Sequence, residues 1–115
     1  MENEMQRDKL LGMLGLAMRA GRVCIGTEMV CTSLAKSGGA KPTLVLISEE
    51  ASPQAKKKLT LKCQYYGVEY LIIDIEMTEL GRLLGKTYAP AAVAITDVGF
   101  GARIKELSGI ASDMA

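Results

Sequence analysis

Apolar and polar positions along this chain alternate between two periods. Over residues 5–20, Leu10, Leu14 and Ala17 fall on one stripe with Leu11 and Met18 beside it, the spacing of an amphipathic helix. Gly12 and Gly15 lie inside it, each costing about 1 kcal/mol relative to alanine, which points to close packing there. Gly21 stands where such a helix stops. Arg22 to Ile25 reads as a short strand or extended link. A second helix follows, capped by Gly26 or Thr27, with Met29, Val30 and Leu34 expected to face inward; Ser37-Gly38-Gly39 ends it.

The remaining segments repeat the alternation. Thr43 to Ile47 is a continuous run rich in branched residues, the pattern of a strand covered on both faces. Ser52-Pro53 is an N-cap followed by proline at the first helical position, and Ala55, Leu59, Cys63 and Tyr66 recur at helical spacing until Gly67. Glu69 to Asp74, with Leu71-Ile72-Ile73, reads as another buried strand. Thr78 is expected to cap a short helix with Leu80, Leu83 and Leu84 inward and Gly85 as its stop. Ala91 to Thr96 is the last strand, and Asp97 caps a final helix striped by Phe100, Ile104 and Leu107. Residues 111–115 have nothing to bury and are expected to fray, leaving one domain over residues 1–110. Helices alternating with strands predict an α/β fold, a three-layer α/β/α sandwich around a mixed four-stranded sheet.

Composition narrows the function classes. A chain of 115 residues, 49% of them apolar, suits one packed domain, which typically runs to about 100–200 residues. The net charge of +1 favours no partner by itself. Its distribution is uneven, because Lys36, Lys41, Lys56, Lys57, Lys58 and Lys62 outnumber Glu49 and Glu50 within one stretch, so a local basic face is possible. Cys24, Cys31 and Cys63 show no C-x-x-C spacing and read as small buried hydrophobes in a reducing compartment. No leader segment and no apolar run approaching about 18 residues is seen, so a cytoplasmic location without membrane contact is expected.

Catalytic and cofactor motifs fail on spacing. Gly85-Lys86-Thr87 imitates the end of a phosphate loop, but that motif needs a glycine where Leu80 stands, and needs a strand before it where a helix is predicted. Gly99-Phe100-Gly101 would place its third glycine at Ile104. With no histidine, the commonest general base and metal ligand is missing. Glu49 and Glu50 are neighbours in a turn, where carboxylates seldom converge, and Glu28 near Cys31 has no suitable base. A non-enzymatic protein with no cofactor and no metal is the expectation.

Several segments, in order, resemble one family. Leu14-Gly15-Leu16-Ala17 is followed by Arg19-Ala20-Gly21 and by Gly26 at the second helix. Next come Leu44 to Ile47, Ser48-Glu49-Glu50-Ala51-Ser52, Lys56-Lys57-Lys58-Leu59, and Cys63 with Tyr65-Tyr66. Glu79-Leu80-Gly81 to Gly85-Lys86, Val93-Ala94-Ile95-Thr96-Asp97 and Gly99-Phe100 complete the series. From about Leu10 to about Leu107 the chain resembles the kink-turn-binding ribosomal proteins, the superfamily of L-seven-Ae and L-thirty-e, and more closely its small bacterial YlxQ-like branch.

That resemblance implies a protein binding structured RNA, ribosomal or another kink-turn RNA, with possible ribosome association and no particular oligomer. In the family, the N-terminus of the second helix enters the widened groove beside tandem sheared G·A pairs, and a loop before the last strand covers a protruding nucleotide. Carried over, this implies Gly26, Thr27, Glu28, Met29 and Thr32 at the groove, Lys36 as a helix-end cation, and Lys86, Thr87, Tyr88, Ala89 and Pro90 in the covering loop. Helix N-termini offer unpaired N–H groups and positive potential to phosphate. Better-known members carry asparagine, glutamate and lysine where this chain has Glu28, Met29 and Thr32. A glutamate accepts from base amino groups, Met29 reproduces no polar contact, and Thr32 removes a cation. The competing reading is a protein-interaction or assembly module that keeps the fold without the RNA contacts.

Overall fold

The computed structural model describes the backbone of residues 2–112 and the side chains of Met5 and residues 7–108. In chain order the elements are α1 (Glu2–Arg19), β1 (Val23–Ile25), α2 (Thr27–Leu34), a 3-10 turn (Gly38–Ala40), β2 (Leu44–Ser48), α3 (Pro53–Tyr66), β3 (Glu69–Ile73), α4 (Met77–Leu83), β4 (Ala92–Ile95) and α5 (Val98–Ser112). The strands form one mixed sheet in the order β1-β4-β2-β3, with β2 and β3 parallel and the other pairs antiparallel. The predicted α/β/α sandwich with a four-stranded mixed sheet is the observed architecture.

Alternation along the two central strands divides the core. Leu44, Leu46, Val93 and Ile95 point to the layer holding α1, α4 and α5, where they meet Leu10, Leu14, Leu80, Leu84, Ile104 and Leu107. Val45, Ile47, Ala92 and Ala94 point the other way, against Val30 and Leu34 of α2 and Leu59 and Cys63 of α3. Every residue of β2 is buried, as its unbroken apolar run demands.

Helix ends follow local chemistry. Ser52 Oγ accepts from the Ala55 amide at 3.0 Å, and Asp97 Oδ2 accepts from the Phe100 amide at 2.8 Å. At the end of α4, Gly85 is left-handed (φ 72°), and the Lys86 amide donates to the Gly81 carbonyl at 2.8 Å, closing a Schellman stop.

The structure corrects three expectations. Strand β3 lies at the sheet edge, so Ile72 is 48% exposed where a buried strand was expected. Met29 points outward, 58% exposed, while Val30, Ser33 and Leu34 form the inner face of α2. Met29 falls one residue off the phase that reaches the sheet. Helix α4 begins after Glu76, so Thr78 is not its cap; the Glu50 carboxylate accepts from the Met77 amide at 2.9 Å instead. Helix α5 is described through Ser112, and residues 113–115 of the expected tail lie outside the described residues.

Candidate nucleic-acid interface

Gly26 joins β1 to α2 and is fixed from both sides. Its amide donates to the Ala92 carbonyl of β4, and its carbonyl accepts from Val30, both at 2.9 Å. Its backbone sits at φ 97°, ψ 153°, a region essentially reserved for glycine. Gly26 is therefore the N-cap, and Thr27 the first residue of the helix. A glycine cap has no side chain to turn back on the helix. Among the described residues no side chain bonds the amides of Thr27, Glu28 or Met29, so these donors are left uncapped by the protein's own side chains.

The acid in this first turn is paired with a lysine. Glu28 Oε2 lies 3.1 Å from Lys58 Nζ of α3. The hydrogen bond to Glu28, and then its charge, push the Lys58 ammonium pKa up. Burial pushes the Cys31 thiol up, opposed by Lys58 and Lys62, so the start of α2 and two lysines of α3 share one neighbourhood. Met29 and Thr32 are exposed beside Glu28.

The second segment, residues 86–90, reaches the same end of the sheet. It feeds into β4, whose Ala92 carbonyl takes the Gly26 amide and whose preceding residue, Ala91, accepts from Ser48 at 2.8 Å. Pro90 is buried and anchors the loop, while Lys86, Thr87, Tyr88 and Ala89 are exposed. The loop lies directly on α4: a Cβ placed on Gly81 would sit 2.2 Å from the Tyr88 carbonyl oxygen. Between loop and helix is an open recess of about 310 Å³ lined by Thr78, Arg82, Lys86, Thr87, Tyr88 and Ala89.

Gly26, Thr27, Glu28, Met29 and the 86–90 loop thus flank the β1–β4 pairing, and Lys36 does not join them. It lies past the far end of α2, and at about 1.5 Å per helical residue it stands roughly 12 Å or more from the helix start. Sequence reasoning passed over Arg82 and Thr78. The signal was the four-residue spacing of Thr78 and Arg82, which puts both on one face of α4, with Lys86 just past its stop. The sequence showed Lys58 only as one lysine of a possible basic face and of a family segment, not as the partner of Glu28. The acidic turn after β2 has a bracing part: Ser48 Oγ donates to the Ile75 carbonyl at 2.6 Å and accepts from the Glu50 amide at 3.1 Å.

This geometry defines a class of small α/β/α domain with a glycine-opened helix set beside a loop on one sheet end. The Ribosomal protein L7Ae/L30e/S12e/Gadd45 family model matches residues 8–104, and the chain belongs to that family. It is 40% identical over 95 residues to the RNA-binding protein YlxQ of Bacillus subtilis (strain 168), covering 83% of this chain and 90% of that one. To the RNA-binding protein YlxQ of Enterococcus faecium it is 36% identical over 106 residues, covering 91% and 96%. Among solved structures, a protein of unknown function from Bacillus halodurans superposes with a TM-score of 0.76 at 32% identity, over 86% of this chain and 95% of that one. The Giardia lamblia 15.5kD RNA binding protein superposes with a TM-score of 0.73 at 21% identity, over 96% and 88%, a likeness of fold. The resemblance to the YlxQ-like branch holds, and the reading of a non-enzymatic protein agrees with this family and these relatives. Among the described residues no helix is long and apolar enough to cross a membrane.

Proposed function

We propose that this chain is a non-catalytic RNA-binding protein that grips a kink-turn, in ribosomal or other RNA, between the start of α2 and the 86–90 loop. RNA binding as such is supported by the family and by the relatives named for it. The observation that carries the finer reading is the open row of amides at Thr27, Glu28 and Met29 beside that loop. Folded RNA is recognised through its shape, its backbone and its splayed bases, and a helix N-terminus without a capping side chain suits phosphate oxygens. Lys58 offsets Glu28, leaving that carboxylate to accept from a base edge with less repulsion of phosphate. In this arrangement Gly26 lets the backbone approach, Thr27 and Thr32 offer hydroxyls, Met29 lies against a sugar or base face, and Tyr88 with Lys86 covers the nucleotide that leaves the stack. Uncapped amides beside a lysine-paired acid favour this reading over the assembly module.

A calorimetric titration at low salt tests it, using a kink-turn stem and the same stem with its sheared G·A pairs replaced by G·C pairs. The first stem is expected to bind at least about tenfold more tightly, a difference of about 1.4 kcal/mol. Equal affinity for the two stems would remove the kink-turn, and absence of binding to both would remove the proposal.

A further inference from the structure

We infer that the outward face of α3 is a second RNA contact that holds an unpaired strand running on from the element bound at α2. The inference rests on the RNA-binding reading above but uses different residues. Leu59 and Cys63 turn α3 toward the sheet, so helical phase places Lys57, Leu61 and Tyr65 in one row on the opposite side, with Lys58 and Lys62 along its edge. Leu61 is 52% exposed and Tyr65 81% exposed, neither covered by any other part of the described chain. The Tyr65 ring is held by an edge-on contact with Tyr66, centroids 4.8 Å apart at 88°, while Tyr66 packs against the core. An open ring held in this way offers its free face to a flat partner.

Charge selects the partner. Helix α3 carries no acidic residue between Pro53 and Tyr66. Lys57 and Lys62 have no ion-pair partner among the described residues, and Lys58 is joined to Glu28 at the start of α2. Lysine is depleted at the centre of protein–protein interfaces. An aromatic ring among cations is instead the arrangement that takes single strands, bases stacking on the ring while the cations follow the backbone. The Lys58–Glu28 pair makes the face continuous with the proposed kink-turn site. From Lys58 to Tyr65 the helix rises roughly 10 Å, a span a few unpaired nucleotides bridge.

The test is a fluorescence titration of the whole chain at one fixed salt concentration. Four RNAs are used: a kink-turn stem, that stem with a short uridine tail on its 5′ end, the same stem with the tail on its 3′ end, and the uridine strand alone. One tailed stem is expected to bind about tenfold more tightly than the bare stem, as one stacked base provides (about 1.4 kcal/mol). Tyr65→Ala abolishes that gain, Tyr65→Phe retains it, and both bind the bare stem like the wild type. Lys57→Ala and Lys62→Ala each lower the salt slope for the tailed stem by about 0.7. No gain from either tail, or a gain that Tyr65→Ala leaves intact, overturns the inference and turns the face over to a protein partner or to solvent. If the bare stem is not bound, the kink-turn reading fails separately. The α3 face is then judged on the free uridine strand, where Tyr65-dependent binding upholds it and its absence ends it.

Discussion

Replacing Gly81 by alanine probes how the 86–90 loop is held against α4. The new Cβ would lie 2.2 Å from the Tyr88 carbonyl oxygen and 3.1 Å from Pro90 Cδ. Carbon–oxygen approaches in proteins come down to about 3.3 Å, so the loop backbone must retreat by roughly 1 Å. It has little room to do so, because Pro90 is buried and the Lys86 amide is bonded to the Gly81 carbonyl. Overpacking of this kind costs about 1–3 kcal/mol. Alanine inside a helix returns about 1 kcal/mol over glycine, so the net destabilisation expected is about 0–2 kcal/mol. Gly12, where the sequence pointed to close packing and the structure has none, supplies the control. It lies exposed in α1 with nothing within 4 Å of a built Cβ, so Gly12→Ala collects only the helical gain and stabilises by about 0.5–1 kcal/mol. Urea denaturation of both variants reads the sign directly, as opposite shifts in midpoint at constant slope. Titration with the bare kink-turn stem should show Gly81→Ala weakened by at least about tenfold and Gly12→Ala unchanged. If Gly81→Ala stabilises as much as Gly12→Ala and binds RNA normally, the wedge of loop on helix is not what positions residues 86–90.

Three further outcomes are expected. Gly26→Ala should lower stability by about 1–3 kcal/mol in a thermal melt although the space around it is open, since only its backbone angles forbid a side chain; no change would mean that the joint relaxes. On the bare stem at one salt concentration, Gly26→Glu should reduce affinity more than Lys57→Ala, because the first adds charge and bulk where the proposed site brings backbone to phosphate, and equal losses would contradict that site. Burial, with a smaller part from Cys31, pushes the Cys63 thiol up to about 11 from its ordinary 9.0. The folded chain therefore keeps a proton that the unfolded chain releases. The resulting stability is complete below about pH 9 and disappears as pH rises toward 11, a loss of about 2–3 kcal/mol. Urea midpoints of wild type and Cys63→Ala should converge over that window, and parallel curves would refute the assignment.

Much of this architecture could be read from the residues because each element signals itself locally. The Ser52-Pro53 start, the Asp97 cap, the glycine stops and the branched run of β2 all work within a few positions of where they lie. What could not be read depends on neighbours far away in sequence. Ile72 looks like core in isolation, and only the strand order exposes it. The cap of α4 comes from Glu50, and Met77 to Glu50 is a contact across two loops that no local pattern encodes. At the candidate site, Gly26 and the 86–90 loop were legible through family likeness, whereas the Lys58 pairing with Glu28 required two helices to be laid side by side. Met29 was assigned inward because apolarity was weighed above helical phase, and its outward position is what makes it available for contact.

The two faces of β4 differ in bulk. On the α1–α4–α5 side the central strands present leucine, valine and isoleucine; on the α2–α3 side β4 presents only Ala92 and Ala94, both fully buried. Small residues let α2 lie close over β4, and the Gly26 hinge hangs from that same strand. Adding even a methyl group to Ala92 or Ala94 would jack the helix away from its floor and tilt its mouth relative to residues 86–90. Drift in sequence should therefore be lopsided: generous among the bulky aliphatics of one layer, and severely limited at two alanines that touch no ligand at all.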